Sequence, residues 1–156
     1  MNIPFTSILL LLSLCLWTAC DALNAEEVAR LPINAVSLDP ENPVMKEASL
    51  ELKQGEKLYF WSEMDFEYEG EVQLLFRVEL LREGESMGVI EIDPTVKDIT
   101  KGQIKTTIMD KTSWSFSGKN NHMTVEESGS YTFKGVLVAS DNPTLVIDKA
   151  EIVLKK

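Results

Sequence analysis

Residues 57–82 have the sequence KLYFWSEMDFEYEGEVQLLFRVELLR, in which apolar side chains recur at every second position. A period of two places alternate side chains on opposite faces of a β-strand, whereas a helix needs a period near 3.6. The stretch therefore predicts two strands, each with one apolar face. The residues expected on these two faces are Leu58, Phe60, Ser62, Met64, Phe66 and Tyr68 on the first strand, and Val72, Leu74, Phe76, Val78 and Leu80 on the second.

The three residues between these strands, 69–71, are typical of a hairpin loop, with Gly70 available for a positive φ. A three-residue loop matches the two apolar faces, and a two-residue loop would set them on opposite sides, because one step of register turns every side chain over. The same register places Glu63 opposite Arg77 on the outer face. It also predicts that Tyr59 and Trp61 point outward.

The rest of the chain from Ala48 onward continues the alternation, with Gly, Asn, Asp and Pro clusters as turns. About eight short strands with turn signals at this spacing predict an all-β fold, an antiparallel β-sandwich that resembles a jelly roll. The last strand changes phase, which predicts a bulge near Asp148 and Lys149. The predicted strands are Ala48–Lys53, Lys57–Tyr68, Val72–Arg82, Met87–Asp93, Gln103–Met109, Ser113–Ser117, Tyr131–Ala139 and Thr144–Leu154.

The first nineteen residues contain no charged side chain and hold an apolar run that is too short to be a transmembrane helix. Small residues follow this run and precede Cys20, which is the layout of a secretory signal. We expect residues 1–19 to be a signal peptide. Residues 20–43, with a short helical turn and three prolines, are predicted to form a tether, and residues 44–156 the β-sandwich domain.

The segment Leu16-Trp17-Thr18-Ala19-Cys20 resembles the lipobox of bacterial lipoproteins, although Trp17 stands where that motif usually has leucine. The resemblance implies cleavage before Cys20 and a diacylglycerol on its sulfur. It also implies a place in the bacterial cell envelope, anchored by lipid to a membrane, with the outer membrane or cell surface favoured. An ordinary signal peptide, or a retained membrane helix, is the alternative.

The charge of the chain disfavours one class of partner, and its cysteine content disfavours an internal disulfide. The 25 acidic and 15 basic residues give a net charge of −10, which disfavours a nucleic-acid partner, because such proteins need a basic footprint. With Cys15 in the signal, Cys20 is the single cysteine of the mature chain, so no internal disulfide is expected.

No catalytic arrangement emerges from the sequence. The one histidine, His122, follows the polar residues 118–121, which are predicted to form a loop, and a solvated loop histidine fits better than a catalytic base. One histidine without a cysteine pair argues against zinc, and we expect no cofactor. The alternating acidic residues of 63–69 point in parallel rather than toward one ion, so a solvated outer face is favoured over a calcium site.

These patterns predict a lipid-anchored, non-enzymatic binding or structural module of the envelope, whose partner is the membrane and possibly a glycan or an envelope protein. The alternative is a carbohydrate-binding accessory domain in which outward-facing aromatics hold a sugar ring. Its predicted ligand-binding residues are Tyr59, Trp61, Glu63 and Arg77. A hydrolase is the weaker alternative.

Overall fold

The computed structural model of the chain describes residues 21–156, so the predicted signal peptide and Cys20 lie outside the described residues. The described part begins with a four-residue helix, α1 (Asp21–Asn24), and continues with nine strands. The strands are β1 (Glu27–Pro32), β2 (Lys46–Leu52), β3 (Lys57–Glu69), β4 (Leu74–Arg82), β5 (Glu85–Ile92), β6 (Ile99–Ile108), β7 (Lys111–Thr124), β8 (Gly129–Ala139) and β9 (Val146–Lys155).

The strands form two antiparallel sheets, ordered β1-β9-β3-β7-β6 and β2-β8-β4-β5. We call them the five-stranded and the four-stranded sheet. Strands β1 to β3 alternate between the sheets, and β7 to β9 do the same, which is the winding of a jelly roll with β6 added at one edge. The predicted all-β antiparallel sandwich is therefore confirmed.

The core lies between the two sheets and is built from the alternating faces that the sequence predicts. Phe60, Met64 and Phe66 of β3 are buried against Phe76 and Val78 of β4 and their neighbours. The predicted bulge near the end of the chain is also present, because Asp65 pairs with Lys149 and Phe66 with Ile147, which leaves Asp148 between them without a partner on β3.

The predicted hairpin is wrong. β3 pairs with β7 and β9, whereas β4 pairs with β5 and β8 in the other sheet. Glu63 therefore lies beside Ser117 and Glu151, and Arg77 beside Glu91 and Val136. The alternation correctly indicates which side chains face the core. Because two strands on opposite sheets also turn their apolar faces toward one another, alternation alone does not show that they are hydrogen-bonded neighbours.

The predicted tether is in large part folded into the sandwich. Strand β1 pairs with β9 at the edge of the five-stranded sheet, and Ile33, which follows it, is buried in the core. Val36 then makes an isolated bridge to Leu137 of the four-stranded sheet. The apolar side chains of 28–36 supply the contacts that hold this segment, so the folded body begins well before residue 44.

Strand β7 is longer than predicted, because residues 118–122 continue it rather than form a loop. They pair with the first half of β3, and a bulge between Phe60 and Trp61 leaves Asn120 out of register. The Asn120 amide nitrogen donates to the carbonyl oxygens of Asp93, Pro94 and Val96, at 2.8–3.3 Å. The asparagine that suggested a turn thus ties the β5–β6 loop to β7.

Candidate functional sites

The first candidate site is the chain-entry patch, which we define as Tyr59, Trp61 and Val153 together with residues 21–26, which cover them. These side chains form a small apolar cluster on the outer face of the five-stranded sheet, and Trp61 is 0% exposed. The backbone of Glu26 makes two hydrogen bonds of 2.9 Å with that of Lys156. The chain is therefore held to the body from its first described residues.

Two lysines flank Trp61 in this patch. Lys155 Nζ lies 4.3 Å from the ring centroid and Lys101 Nζ lies 5.4 Å from it. Lys101 also donates to the Leu23 carbonyl at 3.1 Å, which fastens α1 over the ring. Burial lowers the pKa of Lys155, and the nearby charge of Lys101 lowers it further. The positive ammonium groups are attracted to the negative face of the ring, and the methylene chains of the two lysines cover it.

The structure separates Arg77 from the other three residues predicted to bind a ligand. Tyr59, Trp61 and Glu63 share the outer face of β3, as predicted. The two rings are closed off, because Tyr59 is only 8% exposed and Trp61 is fully buried. A sugar could stack on them only if residues 21–26 moved away. Arg77 is in the other sheet and pairs with Glu91 at 3.3 Å, with both side chains more than half exposed.

Glu63 belongs instead to an ion network around Arg30. The Arg30 guanidinium contacts the carboxylates of Glu27 at 2.7 Å, of Glu63 at 2.8 Å and of Glu151. Lys149 Nζ donates at 2.8 Å to Glu63 Oε2, the oxygen that Arg30 also contacts. The hydrogen bond from Arg30 lowers the pKa of Glu63 to about 2, with Lys149 adding to the effect against partial burial. The network joins the edge strand β1 to β9 and β3.

The other acidic residues of β3 also have cationic neighbours. Glu67 forms an ion pair with Lys111, with 2.5 Å between Oε2 and Nζ. Asp65 lies opposite Lys149 in the sheet. His122 is exposed, with its ring centroid 6.2 Å from that of Tyr59. Within residues 21–156, no group of three His, Cys, Asp or Glu side chains is placed to hold a metal ion.

A cleft of about 550 Å³ lies between residues 34–38 and residues 139–147. Apolar side chains such as Val36 and Ile147 contribute to its lining. On the rim, the Asn142 amide nitrogen donates to the carbonyls of Glu69 and Glu71, at 2.9 and 3.0 Å. That polar group is thus engaged in holding the β3–β4 and β8–β9 loops together.

A further candidate site, which the sequence analysis did not identify, is the β6–β7 trough. We define it as the core-facing side of β6 and β7, where β6 adds a fifth strand to one sheet. Directly paired residues of neighbouring strands point to the same side. Gln103 pairs with Phe116, Lys105 with Trp114, and Thr107 with Thr112. Residues 100–108 are all exposed, so the trough opens to solvent along β6.

Trp114 is the centre of this trough. Lys105 Nζ lies 3.9 Å from the Trp114 ring centroid, and Lys97 Nζ lies 4.9 Å from it and 3.7 Å from that of Phe116. Phe116 is buried, whereas Trp114 is only partly buried. The signal that could have indicated this site is the segment 97–105, which carries three lysines and one aspartate in an otherwise acidic chain.

Comparisons with known proteins add little to this picture. No family model and no curated protein matches the chain. Among solved structures it is similar to a β-glucosidase from Paenibacillus barengoltzii, with 15% identity and a TM-score of 0.32. The match covers 80% of this chain but spans only 10% of the enzyme. A likeness at that level carries no functional argument. No helix within residues 21–156 is long and apolar enough to cross a membrane.

Proposed function

We propose that this protein is a lipid-anchored, non-enzymatic binding or structural module of the bacterial cell envelope. Its anchor is a diacylglycerol on Cys20, and the membrane is its first partner. The outer membrane or the cell surface is the favoured location.

The observation that supports this most directly is the position of the folded body relative to the lipobox-like segment. Ala22 and Ala25 pack beside Tyr59 and Trp61, and Glu26 is hydrogen-bonded to Lys156, so the body begins two residues after Cys20. Acyl chains on Cys20 would then hold the chain-entry end of the sandwich close to the bilayer. Stable anchoring needs two or more acyl chains, since each buried CH₂ contributes ~0.8 kcal/mol.

The non-enzymatic part of the proposal is supported by how the polar side chains are used. Two carboxylates of β3 are engaged by cations, Glu63 by Arg30 and Lys149, and Glu67 by Lys111. A glycosidase places two carboxylates on either side of its substrate, and a triad needs a histidine oriented by an acid. Hydrolase chemistry at His122 would be detected as turnover that is lost in His122→Ala, and we expect none.

The anchor is tested by the intact mass of the N-terminal peptide of the protein purified from bacterial membranes. We expect a chain that starts at Cys20 and carries the mass of acyl chains. Cys20→Ala should abolish both the cleavage and the added mass. The matched control is Cys15→Ala, which removes a cysteine from the predicted signal and should leave the modification unchanged. An unmodified N-terminus at another residue would contradict the proposal.

A further inference from the structure

The β6–β7 trough combines an aromatic floor with two cations that have no anionic partner. Lys97 and Lys105 share the Trp114 ring, and neither makes an ion pair within 4 Å in the part of the chain that the structure describes. Six other lysines also have no ion pair within 4 Å in the described residues. Lys97 and Lys105 differ from them because they share a partly buried aromatic ring beside the exposed strand β6. Seven other cationic side chains, including Arg30, Lys111 and Lys149, do have carboxylate partners.

The two ammonium groups are close enough to disfavour one another. Burial lowers the pKa of Lys97, and the charge of Lys105 lowers it further, with Asp93 opposing them. An oxyanion placed between the two groups would remove this repulsion and gain charge-assisted hydrogen bonds from both.

The position of Lys97 is built into the surrounding strands. Asn120 donates to three carbonyls of the loop that carries Lys97. The Lys97 stem then crosses β7 over Gly118, where a Cβ would stand only 2.2 Å from Lys97 Cδ. A side chain at position 118 would therefore displace the lysine. The stem of Lys97 is therefore packed against the backbone of β7 at Gly118.

From this arrangement we propose that the trough binds an acidic carbohydrate, with a uronate carboxylate between Lys97 and Lys105 and a sugar ring against Trp114. Beside the cations stand an exposed amide, Gln103, and a hydroxyl pair, Thr107 and Thr112, whose Oγ atoms are 3.0 Å apart. Aromatic faces bordered by amides and hydroxyls suit a sugar ring, because they match its apolar face and its hydroxyl groups together. The inference rests on the proposed function in one respect, that the domain is a binding module, and it does not involve Cys20.

The test is calorimetric titration of the full chain, purified in detergent, with oligogalacturonate. The matched neutral ligand is its fully methyl-esterified form, which keeps the sugar backbone and masks the carboxylates. We expect binding of the acid form only, weakening as NaCl is raised. The double variant Lys97→Gln and Lys105→Gln should bind at least about tenfold more weakly, as expected for the loss of charge-assisted hydrogen bonds.

The control variant combines Lys46→Gln and Lys53→Gln, which remove the same charge from exposed lysines at the two ends of β2. It should change the affinity by less than about twofold, since charges more than a Debye length away are screened. Equal losses in both variants, or no binding to the wild type, would overturn the proposal. So would equally tight binding of poly-glutamate, which would show that charge alone is recognised.

The outcome is separable from that of the anchor test. The Cys20→Ala chain should bind oligogalacturonate as the wild type does, whatever the N-terminal mass shows. A failure of the trough would thus leave the lipid anchor standing, and a failure of the anchor would leave the trough standing.

Discussion

The two described tryptophans have similar cationic neighbours but differ in how far they are buried. Trp61 lies between Lys101 and Lys155, and Trp114 lies near Lys97 and Lys105, with ammonium groups 3.9–5.4 Å from the ring centroids. Trp61 is nevertheless fully buried on the outer face, whereas Trp114 is only partly buried on the core-facing side. In this sandwich an outward-facing side chain can thus be more deeply buried than a core-facing one.

Chain packing explains this difference. Residues 21–26 cross the outer face over Trp61, and two backbone hydrogen bonds between Glu26 and Lys156 fasten them there. On the other side, the five-stranded sheet has one strand more than the four-stranded sheet, and β6 is exposed along its length. Exposure of an aromatic side chain in this sandwich depends on what lies over its strand. The predictions below test that explanation.

The largest expected effect distinguishes the two tryptophans by stability. Trp61→Ala should lower the free energy of unfolding by about 3–5 kcal/mol, because it removes a fully buried ring and leaves a cavity. Trp114→Ala should cost roughly 1–2 kcal/mol, since less apolar surface returns to water. Urea unfolding followed by far-UV circular dichroism measures both. Equal losses would mean that Trp114 is as enclosed as Trp61.

The next effect tests whether the edge strand beside the chain-entry patch is held by the ion network. Arg30→Ala leaves three carboxylates together and should lower the free energy of unfolding by about 1.5–3 kcal/mol. The matched control is Arg77→Ala, whose exposed pair with Glu91 is worth less than about 1 kcal/mol. If the two variants lose the same stability in urea, the network does not fasten β1.

The same network predicts a pH dependence. The pKa of Glu63 is held at about 2 in the folded state, from an ordinary value of 4.5. Its stabilising contribution is therefore complete above pH 4.5 and is lost as pH falls from 4.5 toward 2. Glu63→Gln should reduce the loss of stability between pH 5 and 2.5 by about 1 kcal/mol. Urea titrations at several pH values measure this dependence. If the free energy of unfolding falls with pH as steeply in Glu63→Gln as in the wild type, the partners of Glu63 do not lower its pKa.

The smallest expected effect is the difference between two variants, each of which removes one lysine that lies beside a tryptophan. Lys101→Gln removes a cation and the hydrogen bond to the Leu23 carbonyl, so it should loosen residues 21–26 and cost about 0.5–1 kcal/mol. Lys105→Gln removes a cation from the open trough and should cost less than about 0.5 kcal/mol. Iodide quenching in Trp114→Phe chains that start at Cys20 should report Trp61 as more accessible only after Lys101→Gln. Quenching that stays unchanged would mean that Lys101 does not hold the cover.

Much of the fold could be predicted because burial follows the alternation of side chains. The core faces of β3 and β4, the eight strands from β2 to β9 and the bulge at Asp148 all follow from local pattern. Strand β1 could not be predicted in this way. It is short, it ends in proline, and it is held by distant contacts with β9 and by Arg30, which no local pattern indicates.

The candidate sites depended on longer-range information. The sequence predicts that Tyr59 and Trp61 point outward, but whether anything covers them depends on a segment more than thirty residues away. The pairing of Glu63 with Arg30 rather than Arg77 likewise depends on strand order. Lys97 and Lys105 meet over Trp114 only because β6 pairs with β7 and Asn120 holds the loop before β6.

The sequence by itself determined the class of fold, the core-facing positions and the acidic character of this protein, because side-chain alternation and charge are local properties. The tertiary structure alone decided which strands are neighbours, which of the two tryptophans is closed and where cations gather without a partner. These features depend on contacts between residues far apart in the chain, and packing two sheets against each other allows several strand orders for the same alternation.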